Sequence, residues 1–261
     1  MDMKRILSMM TVVALATGSA SAMTADEAKA FVRKSRTRFV SAKSCLIEYT
    51  ATAMGVPTES RCWIRRDAKK GTSILNESQT KPFGFPMPKM SQLVTEGKVY
   101  LLSAMMPDKA LHLKFSDGQV QDEVFVNFLT ELGTVEPVSD TKDSCVLKFK
   151  PMAAEFLQAG GQAMSAFGGA FPIPLGSVPE SFQCTFRKPS GDVSRVVALD
   201  AQGQEVFNVF VSKLEFDAKI DDSYFALPKG CTVVDVKSAA DAAKSLVGGL
   251  MPAAKPQVKT K

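Results

Sequence analysis

A two-residue alternation of apolar and polar side chains recurs along most of this chain, and it limits the fold more than any other feature. In CLIEYTATA (45–53), Cys45, Ile47 and Tyr49 share one side of an extended backbone; in RCWIRRD (61–67), Cys62 and Ile64 alternate with Arg61, Trp63 and Arg65. A period of two places successive side chains on opposite faces of a strand. The run SQLVTEGKVYLLSAMM (91–106) carries Glu96-Gly97 between apolar pairs, a hairpin signal, and Pro107-Asp108 is expected to turn into KALHLKF (109–115). Later, SCVLKFK, ESFQCTFRK, VSRVVALD and EVFNVFVSKLEF repeat the pattern, the last three joined by the Gly-containing turns PSGD and AQGQ. The expectation is two antiparallel meanders.

Two segments depart from that period. Thr24-Ala25-Asp26-Glu27 is a capping box, and Ala28, Phe31, Val32, Ser35 and Phe39 follow it at helical spacing, predicting an amphipathic helix of about 15 residues. From Asp117 to Leu132, Val120, Val124, Phe128 and Leu132 predict a second helix stopped by Gly133. Many antiparallel strands interrupted by two helices give an α+β class, a curved sheet packed around helix.

The first 22 residues pair Lys4 and Arg5 with an apolar run from Ile6 to Ala16 and an Ala20-Ser21-Ala22 ending, the pattern of a secretory signal cleaved before Met23. That run falls short of the roughly 20 residues a membrane helix needs. An exported protein is expected, periplasmic in a Gram-negative cell. The formal charge of +5 comes from the two ends: the signal carries one net positive charge, and five lysines against Asp241 after Val236 carry the rest. The body is neutral, which argues against nucleic acid as a partner. Residues 237–261 read as a basic, disordered tail with a short helix from Ser238 to Leu246. No repeat or linker divides residues 23–236, so a single domain is expected.

The sequence holds little that reads as catalysis. His112 is the one histidine, placed in an alternating run where a strand's surface or rim is its ordinary position. No Cys-x-x-Cys or paired-histidine spacing offers a metal site, no glycine pair ends in the Lys-Ser/Thr of a phosphate cradle, and Asp221-Asp222 fit a turn or cap. The expectation is no enzyme, no cofactor and no metal. Of the five cysteines, Cys45 with Cys62 and Cys145 with Cys184 lie on consecutive strands and are the expected disulfides if the chain is oxidised, leaving Cys231 as the odd thiol.

Apolar binding remains. KPFGFPMPKM (81–90) sets Phe83, Phe85 and Met87 among three prolines, and GGQAMSAFGGAFPIPLG (160–176) has no charge at all. With Trp63, the rings and thioethers of Phe83, Phe85, Met87, Phe156, Met164, Phe167 and Phe171 are the candidate lining or lid of a hydrophobic cavity. The alternative is that these segments complete the protein's own core.

The closing segment KIDDSYFALPKGCTVVDV (219–236) resembles the end of the LolA-like and LolB-like periplasmic proteins, the lipoprotein-carrier superfamily: Asp222, Phe225, Leu227, Pro228, Gly230 and a hydrophobic strand at Val233-Val234. The order of helix, meander with Glu96-Gly97 before Tyr100, middle helix and late meander is similar to that superfamily over nearly the whole mature chain. The resemblance implies an unclosed half β-barrel of roughly 9 to 11 antiparallel strands, with helices lidding a concave apolar face that holds acyl chains. It also implies a latch arginine near Trp63, at Arg65 or Arg66, although Asp67 stands where the carriers have proline. The function expected is an exported hydrophobic-ligand-binding protein that carries or senses lipid or lipid-modified protein, with peripheral membrane contact. The alternative is a non-enzymatic envelope protein whose cavity is self-filled and whose partners are other envelope proteins.

Overall fold

In the computed structural model, the residues described are 23–53, 55–114, 117, 132–151 and 179–248. The expected signal, residues 118–131 of the expected middle helix, the uncharged stretch with Phe156, Met164, Phe167 and Phe171, and the last residues of the tail lie outside them; Leu132 and Gly133, read as the end of that helix and its stop, open a strand instead. Helix α1 spans Ala25–Ser41. Its capping box forms as read: the Glu27 amide donates to Thr24 Oγ1 at 3.3 Å and the Thr24 amide donates to Glu27 Oε2 at 2.7 Å. Two orphan donors of the first turn are thereby satisfied.

Twelve strands follow: β1 (Ser44–Ala53), β2 (Val56–Asp67), β3 (Gly71–Thr80), β4 (Met90–Thr95), β5 (Lys98–Ser103), β6 (Met106–Leu113), β7 (Leu132–Asp140), β8 (Ser144–Pro151), β9 (Ser181–Arg187), β10 (Asp192–Leu199), β11 (Glu205–Phe216) and β12 (Thr232–Val236). A second helix, α2 (Ala239–Gly248), comes last. All twelve strands form one open sheet in the order β12-β6-β5-β4-β3-β2-β1-β11-β10-β9-β8-β7. The architecture is the expected unclosed curved sheet with helix on one face, with two differences. Strands β3 and β7 add to the expected set, and β12 joins β6 in parallel while every other pair is antiparallel.

Glu96 and Gly97 both adopt positive φ, 51° and 72°, as a two-residue primed turn between β4 and β5 requires. Pro107 and Asp108 do not turn; they lie inside β6, and the chain reverses at Ala104-Met105 instead.

The side of the sheet that carries α1 holds two apolar clusters. Ala28 and Val32 pack on Leu147, Phe149, Cys184, Phe186, Ala198 and Phe207, with the Phe31 ring edge-on to Phe186 at 5.5 Å. Further along, Cys45, Cys62, Ile64, Ile74, Val94 and Val99 gather under Phe39, and Ala242 of α2 is buried among them. The helix read into the start of the tail therefore forms and helps close the core. Phe149 and Phe186 are fully buried; a buried Phe contributes about 1.5–3 kcal/mol relative to an exposed one. Gly191, in the β9–β10 turn at φ 77°, lets that turn seat against α1, where Ser35 Oγ donates to its carbonyl at 2.6 Å. The opposite side of β2 to β6 holds a third cluster, Trp63, Leu75, Leu93, Tyr100 and Ala110, covered by Phe225, Ile220 and Leu227.

Candidate functional site

The β3–β4 connection is the most exposed apolar feature among the described residues. Phe83 is 97% exposed, Phe85 75% and Met87 51%. Its base is fixed: the Lys81 amide donates to the Pro57 carbonyl at 3.0 Å, the Met87 amide to the Thr80 carbonyl at 2.8 Å, and Gln79 Nε2 to the Met87 carbonyl at 3.1 Å. Lys81 pairs with Glu59 at 2.6 Å and Lys89 with Glu77 at 2.9 Å. Within the loop, Pro82, Pro86 and Pro88 restrict φ, and Phe83 is held at φ 52° beside Gly84 at 82°. A bulky residue in the left-handed region is a strained outlier. The loop is thus a stiff finger whose rings stand in solvent. Phe83, Phe85 and Met87 stand exposed at its tip, with three prolines and a closed base beneath them.

Trp63 lies on the face opposite α1, 7% exposed, with the Tyr224 ring centroid 5.0 Å away and the Arg61 guanidinium 5.7 Å from the Trp63 ring. It packs with the chain's own 220–227 segment and not with the finger. The alternation in RCWIRRD carried this answer: Cys62 and Ile64 take the helix side, which sends Trp63 to the other.

The two arginines expected as latches bind different elements for the same reason. Arg66 points to the helix side, donates from Nη1 to the Ala42 carbonyl at 3.0 Å and covers the Phe39 ring at 4.9 Å. Arg65 points the other way, pairs with Asp222 and covers the Phe225 ring at 4.5 Å. Asp221 caps the 3-10 turn Asp222–Phe225 by accepting from the Ser223 amide at 2.8 Å.

All five cysteines are free thiols. Each expected disulfide pair does share a face of neighbouring strands, but one diagonal step apart: Cys45 faces Ile64 while Cys62 faces Ile47, and Cys145 faces Phe186 while Cys184 faces Leu147. Diagonal neighbours in a sheet are farther apart than a disulfide's Cβ atoms can be. Burial pushes the Cys45, Cys62 and Cys184 thiols up to about 12 and raises that of Cys145 as well.

His112 is buried rather than on a rim. Its ring stacks on Tyr100 at 5.1 Å, with Nδ1 2.9 Å from Asp235 Oδ1 and Nε2 2.9 Å from Asp117 Oδ2. Lys114 adds a 2.7 Å ion pair to Asp235. The two ring nitrogens face separate carboxylates, an arrangement that ties β12 to β6 and leaves no shared coordination point. Among the described residues, no group of three His, Cys, Asp or Glu side chains is placed to hold a metal.

One set of residues escaped the sequence reading altogether. On the helix-bearing side, at the end of the sheet next to the finger, Thr58, Ser60, Asn76, Ser78, Gln92 and Ser103 are all buried. They run across β2 to β5 as register neighbours: Thr58 opposite Thr80, Ser60 opposite Ser78, Asn76 opposite Gln92. The Thr58 and Thr80 hydroxyls lie 3.0 Å apart, and the Tyr49 hydroxyl donates to Asn76 Oδ1 at 3.3 Å. Burial pushes the Tyr49 phenol up to about 12. The signal for this belt was present in GTSILNESQT, where Ile74, Asn76 and Ser78 alternate, but polar residues on an inward face look like loop.

No protein-family model and no curated protein matches this chain. Among solved structures it is similar to an uncharacterized conserved protein from Thermus thermophilus, with 11% identity, 81% of this chain and 99% of that one covered, and a TM-score of 0.47. It is similar to MucB in the MucA/MucB complex of Pseudomonas aeruginosa, with 11% identity and a TM-score of 0.48, covering 80% of this chain but only 64% of that one. A domain of Vibrio parahaemolyticus provisionally named an outer membrane lipoprotein-sorting protein is similar at 8% identity, with 77% and 97% covered and a TM-score of 0.38.

Proposed function

We propose that this chain is an exported, periplasmic protein that binds lipid or the lipid-modified end of another protein, and that the finger at 81–89 is where it meets a lipid surface. The observation that carries the reading is the outward set of Phe83, Phe85 and Met87 on a loop whose base is hydrogen-bonded and ion-paired shut. Exposed rings of this kind are costly in water, and burying a Phe returns about 1.5–3 kcal/mol. Lys81 and Lys89, each paired with a glutamate, give the finger a polar base without net charge, where headgroups would lie.

The test is flotation of the purified protein with vesicles of phosphatidylethanolamine and phosphatidylglycerol. The wild type is expected to float, and Phe83→Ser/Phe85→Ser to lose at least about tenfold in partitioning for each ring removed. Equal flotation of both proteins, or none by either, would sink the reading. The complete burial of Phe149, Phe186, Leu147 and Val99 favours a second reading, a self-filled envelope protein that takes no ligand. Lipid extracted from the native protein in stoichiometric amount would exclude it.

A further inference from the structure

We infer that the buried belt of hydroxyl and amide side chains beside the finger is a recognition site for the uncharged ester and amide region of an acylated amphiphile. The inference rests on the lipid-binding reading above and narrows it.

The belt stands between the two apolar clusters of the helix-bearing face. Ala51 and Val209 border it on one side, Cys62, Ile74 and Val94 on the other. A sheet whose only task there was to fill its core would continue the apolar pattern, because a buried polar group is costly unless it is hydrogen-bonded. Six such residues on one face, of which Ser103 stands opposite Met90 and accepts from the Met105 amide at 3.2 Å, are a local departure from that pattern, and departures of this kind mark functional places. Ser60 sharpens the point. Its Oγ is fully buried and faces the Tyr49 hydroxyl across the β1–β2 pair, so a buried hydroxyl stands at the centre of the belt beside a buried phenol.

Charge selects the ligand class. Every member of the belt is neutral; the charged residues beside it, Glu48, Glu59, Arg61 and Glu77, lie on the opposite face, paired off as Glu59 with Lys81, Glu77 with Lys89 and Glu48 with Arg61. Arg66, which shares the belt's face, stands at the far end of β2 against Ala42 and Phe39. With no cation in the belt, a phosphate or carboxylate would be buried unpaired. Hydroxyls and amides can both donate and accept, which suits ester and amide groups, while the apolar flanks suit the first methylenes of their chains. The position suits it as well: the Lys81 amide bonds to Pro57, next to Thr58, so an amphiphile passing along the finger reaches the belt first.

Such a region occurs in a neutral glycerolipid and in an acylated, lipid-modified peptide, and the experiment separates the two. Binding of dipalmitoylglycerol, of a triacylated cysteinyl peptide, of palmitate and of a pyrene-labelled hydrocarbon is measured with the full chain by displacement fluorescence. The same set is repeated with Ser60→Ala and Gln92→Leu, each checked for folding by circular dichroism. The wild type is expected to prefer the ester- or amide-bearing ligands over palmitate by at least about tenfold, and each variant to lose about tenfold for those ligands alone. Stronger binding of the triacylated peptide than of dipalmitoylglycerol assigns the belt to lipid-modified protein, and the reverse order to free lipid; either supports the inference. Equal affinity of the wild type for all four overturns it while leaving lipid binding standing, as does an equal loss across all four in the variants. If Gln92→Leu, the conservative apolar replacement, stabilises the fold and leaves binding unchanged, the belt is only a polar defect in the core and the inference fails. Binding of none of the four, by the wild type, overturns both readings.

Discussion

Arg66 Nη1 donates to the Ala42 carbonyl at 3.0 Å, so a β2 side chain holds the residue that ends α1. The same guanidinium lies over Phe39, the last ring of that helix to enter the core. A hydrogen bond from a charged donor is worth about 1.5–3 kcal/mol when partly buried. Arg66→Met should lower unfolding stability by about 2 kcal/mol in urea titration and speed hydrogen exchange in the last turn of α1. An unchanged urea midpoint would show that the contact does not hold the helix.

On the other face, Arg65 reaches two neighbours of unequal weight. Asp222 is 86% exposed on its side chain, whereas Phe225 is 5% exposed and fills the Trp63 cluster. An exposed ion pair contributes less than about 1 kcal/mol, while deleting a buried Phe costs about 3–5 kcal/mol. Phe225→Ala should therefore destabilise the fold several times more than Asp222→Asn, and only the Asp222 effect should shrink in high salt. Comparable losses for the two variants would contradict this order.

What the sequence made legible follows the physics of its residues. Strands β1, β2 and β9 to β11 show themselves because their apolar residues alternate, and Glu96-Gly97 because a primed turn needs positive φ at both positions. Strand β3 stayed hidden because Asn76 and Ser78 face inward, and β7 because Gly133 and Pro137 weaken its signal; Pro137 is tolerated on a strand at the sheet edge. The apolar loop was visible, but its direction was not, since composition cannot tell a ring that covers a core from one propped into solvent. The cysteines were placed on the correct strands and face, and the diagonal offset is a matter of register, set by hairpin lengths that spacing alone does not fix.

That offset can be read chemically. Cys45, Cys145 and Cys184 are fully buried and Cys62 nearly so, while Cys231 is partly exposed. A buried thiol whose titration is pushed to about 12 holds almost no thiolate at neutral pH, and thiolate is the form that reacts. Native protein treated with iodoacetamide should take one label, at Cys231, and denatured protein without reductant should take five, by mass spectrometry. Only one label in the denatured sample would mean that the diagonal pairs had closed into disulfides.

The Lys114–Asp235 pair gives a pH dependence with a definite sign. Hydrogen bonds from Lys114 and then His112 hold the Asp235 carboxyl below its ordinary range, so its stabilisation is present above roughly pH 4 and is lost as pH falls through the folded value. The bond to Asp235 raises Lys114 above the ordinary lysine range, so its share is present below roughly pH 10 and is lost as pH rises past the folded value. Both side chains are about half exposed, which keeps the effect small. Melting curves of wild type and Lys114→Met should differ across the neutral range and converge at the acid and alkaline ends. Parallel curves at all pH values would show that the pair carries no linkage.

Phe83 joins strain to exposure, and the two pull in opposite directions on substitution. Its backbone sits at φ 52° and ψ 26°, a conformation costing about 1–3 kcal/mol for a residue with a side chain, and its ring is 97% exposed and makes almost no return to the fold. Glycine adopts that conformation without the penalty but loosens the unfolded chain, which offsets part of the gain. Phe83→Gly should therefore raise unfolding stability by about 1 kcal/mol while weakening vesicle flotation at least about tenfold. A ring kept in place for the fold would give the reverse, lower stability with flotation unchanged. Higher stability together with weaker flotation is the outcome the proposed membrane contact requires, and measuring the two properties on one variant separates that contact from packing.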